Sequence, residues 1–121
     1  MVTYLRYTPR AAPGVAVIDI DRPEAHNALD RAGQRHFAEL LAAAEADLDV
    51  RCLAVAGTGG RALSAGWDIA EMKALPAPDN AELMAEREEW LWRWYTCRLP
   101  TVAAVQGIAY GAGALLPPAS R

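Results

Sequence analysis

Cysteine is scarce: only Cys52 and Cys97 occur among the 121 residues, and both fall in segments that read as buried strand or helix. No disulfide framework is therefore expected, and a reducing, cytoplasmic setting is. An excess of basic charge is also lacking, because twelve Lys and Arg stand against fifteen Asp and Glu, a net charge of −3. That balance offers no broad footprint for nucleic acid or an anionic membrane surface. Long apolar runs are missing too. The longest, over 102–116, is interrupted by Gln106, Gly107, Gly111 and Gly113 and falls short of the roughly 20 apolar residues of a membrane-spanning helix. Met1 to Tyr7 holds no apolar stretch behind a basic start, so no secretion or import signal is expected. The length admits one domain and excludes a multidomain enzyme.

What is present is a globular composition, 53% hydrophobic and 22% charged. Val2–Tyr7 and Val15–Ile20 are rich in β-branched and aromatic residues, and Ala11-Ala12-Pro13-Gly14 between them predicts a hairpin. Asp30 predicts the cap of a helix over 31–48, in which Phe37, Leu40, Leu41, Ala44 and Leu48 recur at helical spacing. Cys52–Ala56 reads as a strand buried on both faces, ended by the turn Gly57-Thr58-Gly59-Gly60. A short helix is expected over 68–73, interrupted by Pro76-Ala77-Pro78. A long helix over 79–97 then carries Leu83, Trp90, Leu91 and Trp94 on one stripe and Glu82, Glu86, Glu88 and Glu89 on a solvated side. Trp90, Trp92 and Trp94 cannot all share that stripe, so one of them faces a partner or a ligand unless all are absorbed in core packing. Thr101–Val105 predicts a further strand. Strands alternating with helices after an opening hairpin define an α/β layer fold.

Two glycine-rich turns follow two apolar strands, Gly57–Gly66 and Gly107–Gly113. Free backbone N–H groups at such strand ends, next to a helix start, can grip an oxyanion or a phosphate; the other reading is that glycine merely permits a tight turn. Neither is a nucleotide fingerprint. The first lacks the Gly-Lys-Ser/Thr ending of a phosphate loop, and the second has the wrong glycine spacing for a dinucleotide turn. His26 reads as a loop residue without a second ligand nearby, so no metal site is expected, and His36 reads as structural.

Three segments in order, Arg22-Pro23-Glu24-Ala25-His26-Asn27-Ala28-Leu29, Leu63-Ser64-Ala65-Gly66-Trp67-Asp68-Ile69-Ala70-Glu71-Met72 and Leu99 through Gly113, resemble the enoyl-CoA hydratase/isomerase (crotonase) family. The resemblance implies an α/β fold built as a partial ββα spiral, binding acyl-CoA thioesters and stabilising an enolate through two main-chain donors. Here those donors would be Trp67 and Ala112, the latter standing where the family has glycine. It also implies that Ala25, His26 and Ala28 line the pantetheine and adenine side. Ala65, Asp68, Ile69 and Ala70 would lie beside the thioester and nucleotide, although Asp68 serves equally as a helix cap. No cofactor is implied, coenzyme A being part of the substrate.

Family hydratases add water with two glutamates. The position of the first falls at Leu115, and the second would lie past Arg121, so neither acid/base is expected in this chain. Glu71, Glu82, Glu86, Glu88 and Glu89 are the alternatives in principle. Residues 1–121 therefore resemble the amino-terminal part of the family's domain, without the half whose helices build trimers and hexamers. The rival expectation is a non-catalytic acyl-CoA-binding or interaction module that acts with another chain through the Trp90/Trp92/Trp94 helix.

Overall fold

A computed structural model of the chain describes residues 2–109 and Gly113. Strands β1 (Leu5–Ala12) and β2 (Val15–Ile20) form the antiparallel hairpin, with Leu5 opposite Ile20 and Ala12 opposite Val15. The turn is thus Pro13-Gly14 alone, and β1 extends further than its apolar start suggests. Helix α1 (Arg31–Ala46) begins where Asp30 accepts a hydrogen bond from the Gly33 amide at 2.7 Å. It stops before the expected Leu48, which is 89% exposed. Asp47 breaks the helix there, taking an extended backbone while its carboxylate accepts from Arg10 at 2.8 Å.

Helix α1 carries the chain from β2 to the parallel strand β3 (Cys52–Gly57), and β5 (Thr101–Ala104) pairs in parallel on the far side of β3. The sheet order is β1-β2-β3-β5. Between β3 and β5 lie β4 (Ala62–Ser64), α2 (Ile69–Ala74) and α3 (Ala77–Tyr95). β4 pairs in parallel with β6 (Ile108–Ala109), away from the main sheet. Both short strands lie inside glycine-rich stretches read as turns. Helix α3 starts two residues earlier than expected because Pro78 sits in its first turn, where its missing N–H costs no hydrogen bond.

The core lies on one face of the sheet. Ala16, Ile18, Ile20, Leu53 and Val55 are buried there against Phe37, Leu41 and Ala44 of α1 and Trp90 and Trp94 of α3. Phe37 meets Trp90 and Trp94 edge-on at 5.2 and 5.8 Å, each contact adding about 1 kcal/mol to the area buried. The opposite face of β3 is only half-buried at Cys52, Ala54 and Ala56, which corrects the expectation of a strand buried on both sides. Helices α1 and α3 cover just one face. Cys97 is buried, but in the connection after α3 rather than within it, and both cysteines are free thiols. The outward tryptophan is Trp92, 64% exposed and stacked on Tyr95. Among the described residues, no helix is long and apolar enough to cross a membrane.

Candidate functional site

The first motif folds because its polar residues satisfy the backbone of its neighbours. After one turn of 3-10 helix over Pro23–Ala25, His26 and Asn27 adopt φ of +51° and +59°. Asparagine tolerates that left-handed conformation better than most residues. Asn27 is fully buried; its Oδ1 accepts from the Arg22 amide at 2.9 Å, and its Nδ2 donates to the carbonyls of Thr58 at 3.0 Å and Ala62 at 2.8 Å. One side chain thereby ties the first motif to the loop after β3.

The second motif lies against the first. The Ala65 amide donates to the His26 carbonyl at 2.9 Å, the Leu29 amide to Gly66 at 2.8 Å, and the Asp68 amide to Leu29 at 2.9 Å. Ser64 donates from its hydroxyl to the Asn27 carbonyl at 2.8 Å and accepts from the Gly66 amide at 3.1 Å. Because Leu29 bonds to both neighbours of Trp67 in a parallel bridge, the N–H of Trp67 itself points to the opposite side of the chain. Among the described residues it has no acceptor. Asp68 caps α2 by accepting from the Glu71 amide at 3.2 Å and pairs with Arg22 at 3.1 Å, so the helix-cap reading holds for it.

The two glycine turns meet at this point. Ser64 pairs with Ala109 across β4 and β6, and the Ile108 amide donates to the Arg61 carbonyl at 2.9 Å. Gly107, at φ +66°, lies so close to that carbonyl that a Cβ would sit 2.1 Å from its oxygen. A Cβ on Gly113 would sit 2.0 Å from the Ser64 oxygen. Only glycine permits backbones this near.

The expected site residues that are described, all in the first two motifs, thus lie along one junction. Ala28 is buried, Ala25, Ala65, Trp67 and Asp68 are half-buried, and His26, Ile69 and Ala70 are exposed. Ala112 and Leu115 lie outside the described residues. His36 is buried in α1.

Two of the alternative glutamates prove structural rather than solvated. Glu71 accepts from the Arg31 amide at 2.7 Å. Glu86 takes Nε and Nη2 of Arg31 at 3.0 and 2.6 Å and Nη2 of Arg35 at 2.8 Å, which holds its carboxyl down at about 2. A carboxylate so firmly ionised is a poor proton shuttle.

One residue of the site escaped sequence reasoning. Arg87 is only 2% exposed, and its guanidinium carbon stands 4.6 Å from the centre of the Trp67 ring, which meets Trp90 edge-on at 5.2 Å. The signal was its spacing. Leu83, Arg87, Trp90 and Trp94 are the buried residues of α3, and Arg87 completes their helical stripe.

Comparison with known proteins accounts for this arrangement. The chain belongs to the enoyl-CoA hydratase/isomerase family, whose sequence profile matches residues 10–119. It is 43% identical over 104 residues to a probable enoyl-CoA hydratase of Rhodobacter capsulatus, covering 85% of this chain and 39% of that protein. It is 37% identical over 100 residues to carboxymethylproline synthase of Pectobacterium carotovorum, covering 82% and 40% respectively. The crystal structure of an enoyl-CoA hydratase/isomerase from Xanthobacter autotrophicus superposes with a TM-score of 0.89 at 34% identity, over 99% of this chain and 45% of that one. The enoyl-CoA hydratase of Bacillus anthracis shares the fold, with a TM-score of 0.91 over 98% of this chain and 45% of its own. The chain therefore has the mixed α/β crotonase fold and spans about two fifths of the length of the curated relatives it matches.

Proposed function

We propose that residues 1–121 form the amino-terminal, acyl-CoA-binding part of an enoyl-CoA hydratase/isomerase-type enzyme, in which the Trp67 amide donates to the thioester oxygen. The observation that carries this reading is the Trp67 N–H, which has no acceptor among the described residues beside the place where the two glycine turns meet. Two convergent amides stabilise an enolate because their dipoles are fixed before negative charge develops on the oxygen. Ala112 supplies the second donor. Ala25, His26 and Ala28 take the pantetheine and adenine portion of the thioester, and Ala65, Asp68, Ile69 and Ala70 flank its head. Leu115 replaces the first acid/base of hydration, and the firmly ionised Glu86 offers no substitute, so this polypeptide binds acyl-CoA without adding water to it.

Calorimetry with crotonyl-CoA tests the reading. Trp67→Pro deletes the amide proton without touching a bond of the Leu29 bridge and should abolish binding; Trp67→Ala retains the proton and should weaken binding only modestly. No heat from the unaltered chain, or full binding by Trp67→Pro, would remove the amide from the site. Turnover by this chain alone would refute the missing acid/base. Exposed Trp92 stacked on Tyr95 favours a second reading, an interaction module for another chain, if acyl-CoA fails to bind.

A further inference from the structure

Buried guanidinium groups are found with their donors paired, since several kcal/mol are lost otherwise. Arg87 departs from this. Among the described residues its Nε and Nη2 are buried and meet no acceptor, and Nη1 faces the Met84 sulfur at 4.0 Å. Nε–H and Nη2–H lie along one edge of the guanidinium, the edge that grips a carboxylate with two parallel hydrogen bonds. Arg31 of this chain uses that same edge on Glu86, at 3.0 and 2.6 Å. Of the nearby carboxylates, Asp68 has both oxygens engaged, with Arg22 and the Glu71 amide, and one oxygen of Glu71 accepts from the Arg31 amide. The Trp67 ring lies against this guanidinium, whose carbon stands 4.6 Å from the ring centre, a cation–π contact that helps hold it in place.

Resting on the acyl-CoA reading above, we infer that Arg87 is a specificity-determining residue whose Nε/Nη2 edge takes a carboxylate carried by the acyl group, so that the preferred thioesters are those of dicarboxylic acids. The location suits a short acyl chain, because the guanidinium touches the ring of the residue whose amide is assigned to the thioester above. Met84, whose sulfur lies 4.0 Å from Nη1, is unbranched and 41% exposed, a cover that moves at little cost.

The test pairs each acid with a shape-matched neutral thioester: malonyl- with 3-methylbutanoyl-CoA, succinyl- with 4-methylpentanoyl-CoA, and glutaryl- with 5-methylhexanoyl-CoA. In each pair two methyl groups replace the two carboxylate oxygens. At least one acid should bind about tenfold or more tightly than its partner, the usual gain of a charge-assisted hydrogen-bonded pair. Arg87→Met should erase that preference by weakening the acids about tenfold more than the neutral thioesters, and it should fold, since exchanging an unpaired buried cation for an apolar stem relieves a desolvation cost. Arg87→Lys, which keeps the charge and loses the planar edge, should retain part of the preference. Equal affinities within every pair would overturn the inference and leave the acyl-CoA reading standing. Equal weakening of acids and neutral thioesters by Arg87→Met would also overturn it, because the cation would then act only by holding Trp67. Failure of all six to bind would remove the acyl-CoA reading and the inference together.

Discussion

Asn27 does at the residue scale what a longer loop would otherwise need several residues to do. Its left-handed backbone turns the chain, and its amide closes three hydrogen bonds that join Arg22, Thr58 and Ala62. Asn27→Ala should cost about 3 kcal/mol in urea unfolding, combining buried groups left unpaired with loss of the local polar side chain that lets asparagine hold that conformation better than alanine. Asn27→Gly should recover about 1 kcal/mol of this, since it relieves the strain but not the lost bonds. Gly113→Ala should be destabilising by about 1–3 kcal/mol, its new methyl driven against the Ser64 carbonyl, and should weaken crotonyl-CoA binding as the two turns are pushed apart. Both residues stand inside motifs that can be read from the sequence, yet their mechanical roles cannot. Asn27 is an ordinary loop residue until its partners at Thr58 and Ala62, distant along the chain, are brought beside it. Arg87 was hidden by a different rule: a charged residue among glutamates reads as solvated unless its position on the apolar stripe is counted.

Among the elements, those with strong periodicity were legible and those of two or three residues were not. The stripes of α1 and α3 survive in the structure because each helix buries one face against the sheet, whereas β4 and β6 exist only by pairing with each other across two glycine turns. The ion pairs between α1 and α3 depend on that same packing, so the solvated face expected for Glu86 turned out to be an interhelical seam. This seam makes a pH prediction. The Glu86 carboxyl titrates at about 2 in the folded chain against an ordinary value of 4.5, so the unfolded chain takes up the proton first on acidification. The contribution is fully present above about 4.5 and is lost as pH falls towards 2. Thermal unfolding followed over this range should therefore show a fall in Tm that Glu86→Gln flattens, and added salt should diminish the effect because the pair is partly exposed.

For the whole molecule, the decisive feature is that, among the described residues, the covering helices lie on one side of the sheet. Among the described residues β5 forms an edge of the sheet, and Val102 and Val105 stand 49% and 48% exposed along it. Exposed valines along a strand at the edge of a sheet are a template for strand addition from another chain. This polypeptide, prepared by itself, should accordingly self-associate with increasing concentration, and light scattering will report it. Val102→Lys places a charge on the edge and should shift the population towards monomer, while Trp92→Ser on the opposite layer should leave association unchanged if β5 is the contact. A chain that stays monomeric at high concentration would mean that the edge is covered. Association abolished by Trp92→Ser but not by Val102→Lys would move the contact to the exposed aromatic stack of α3.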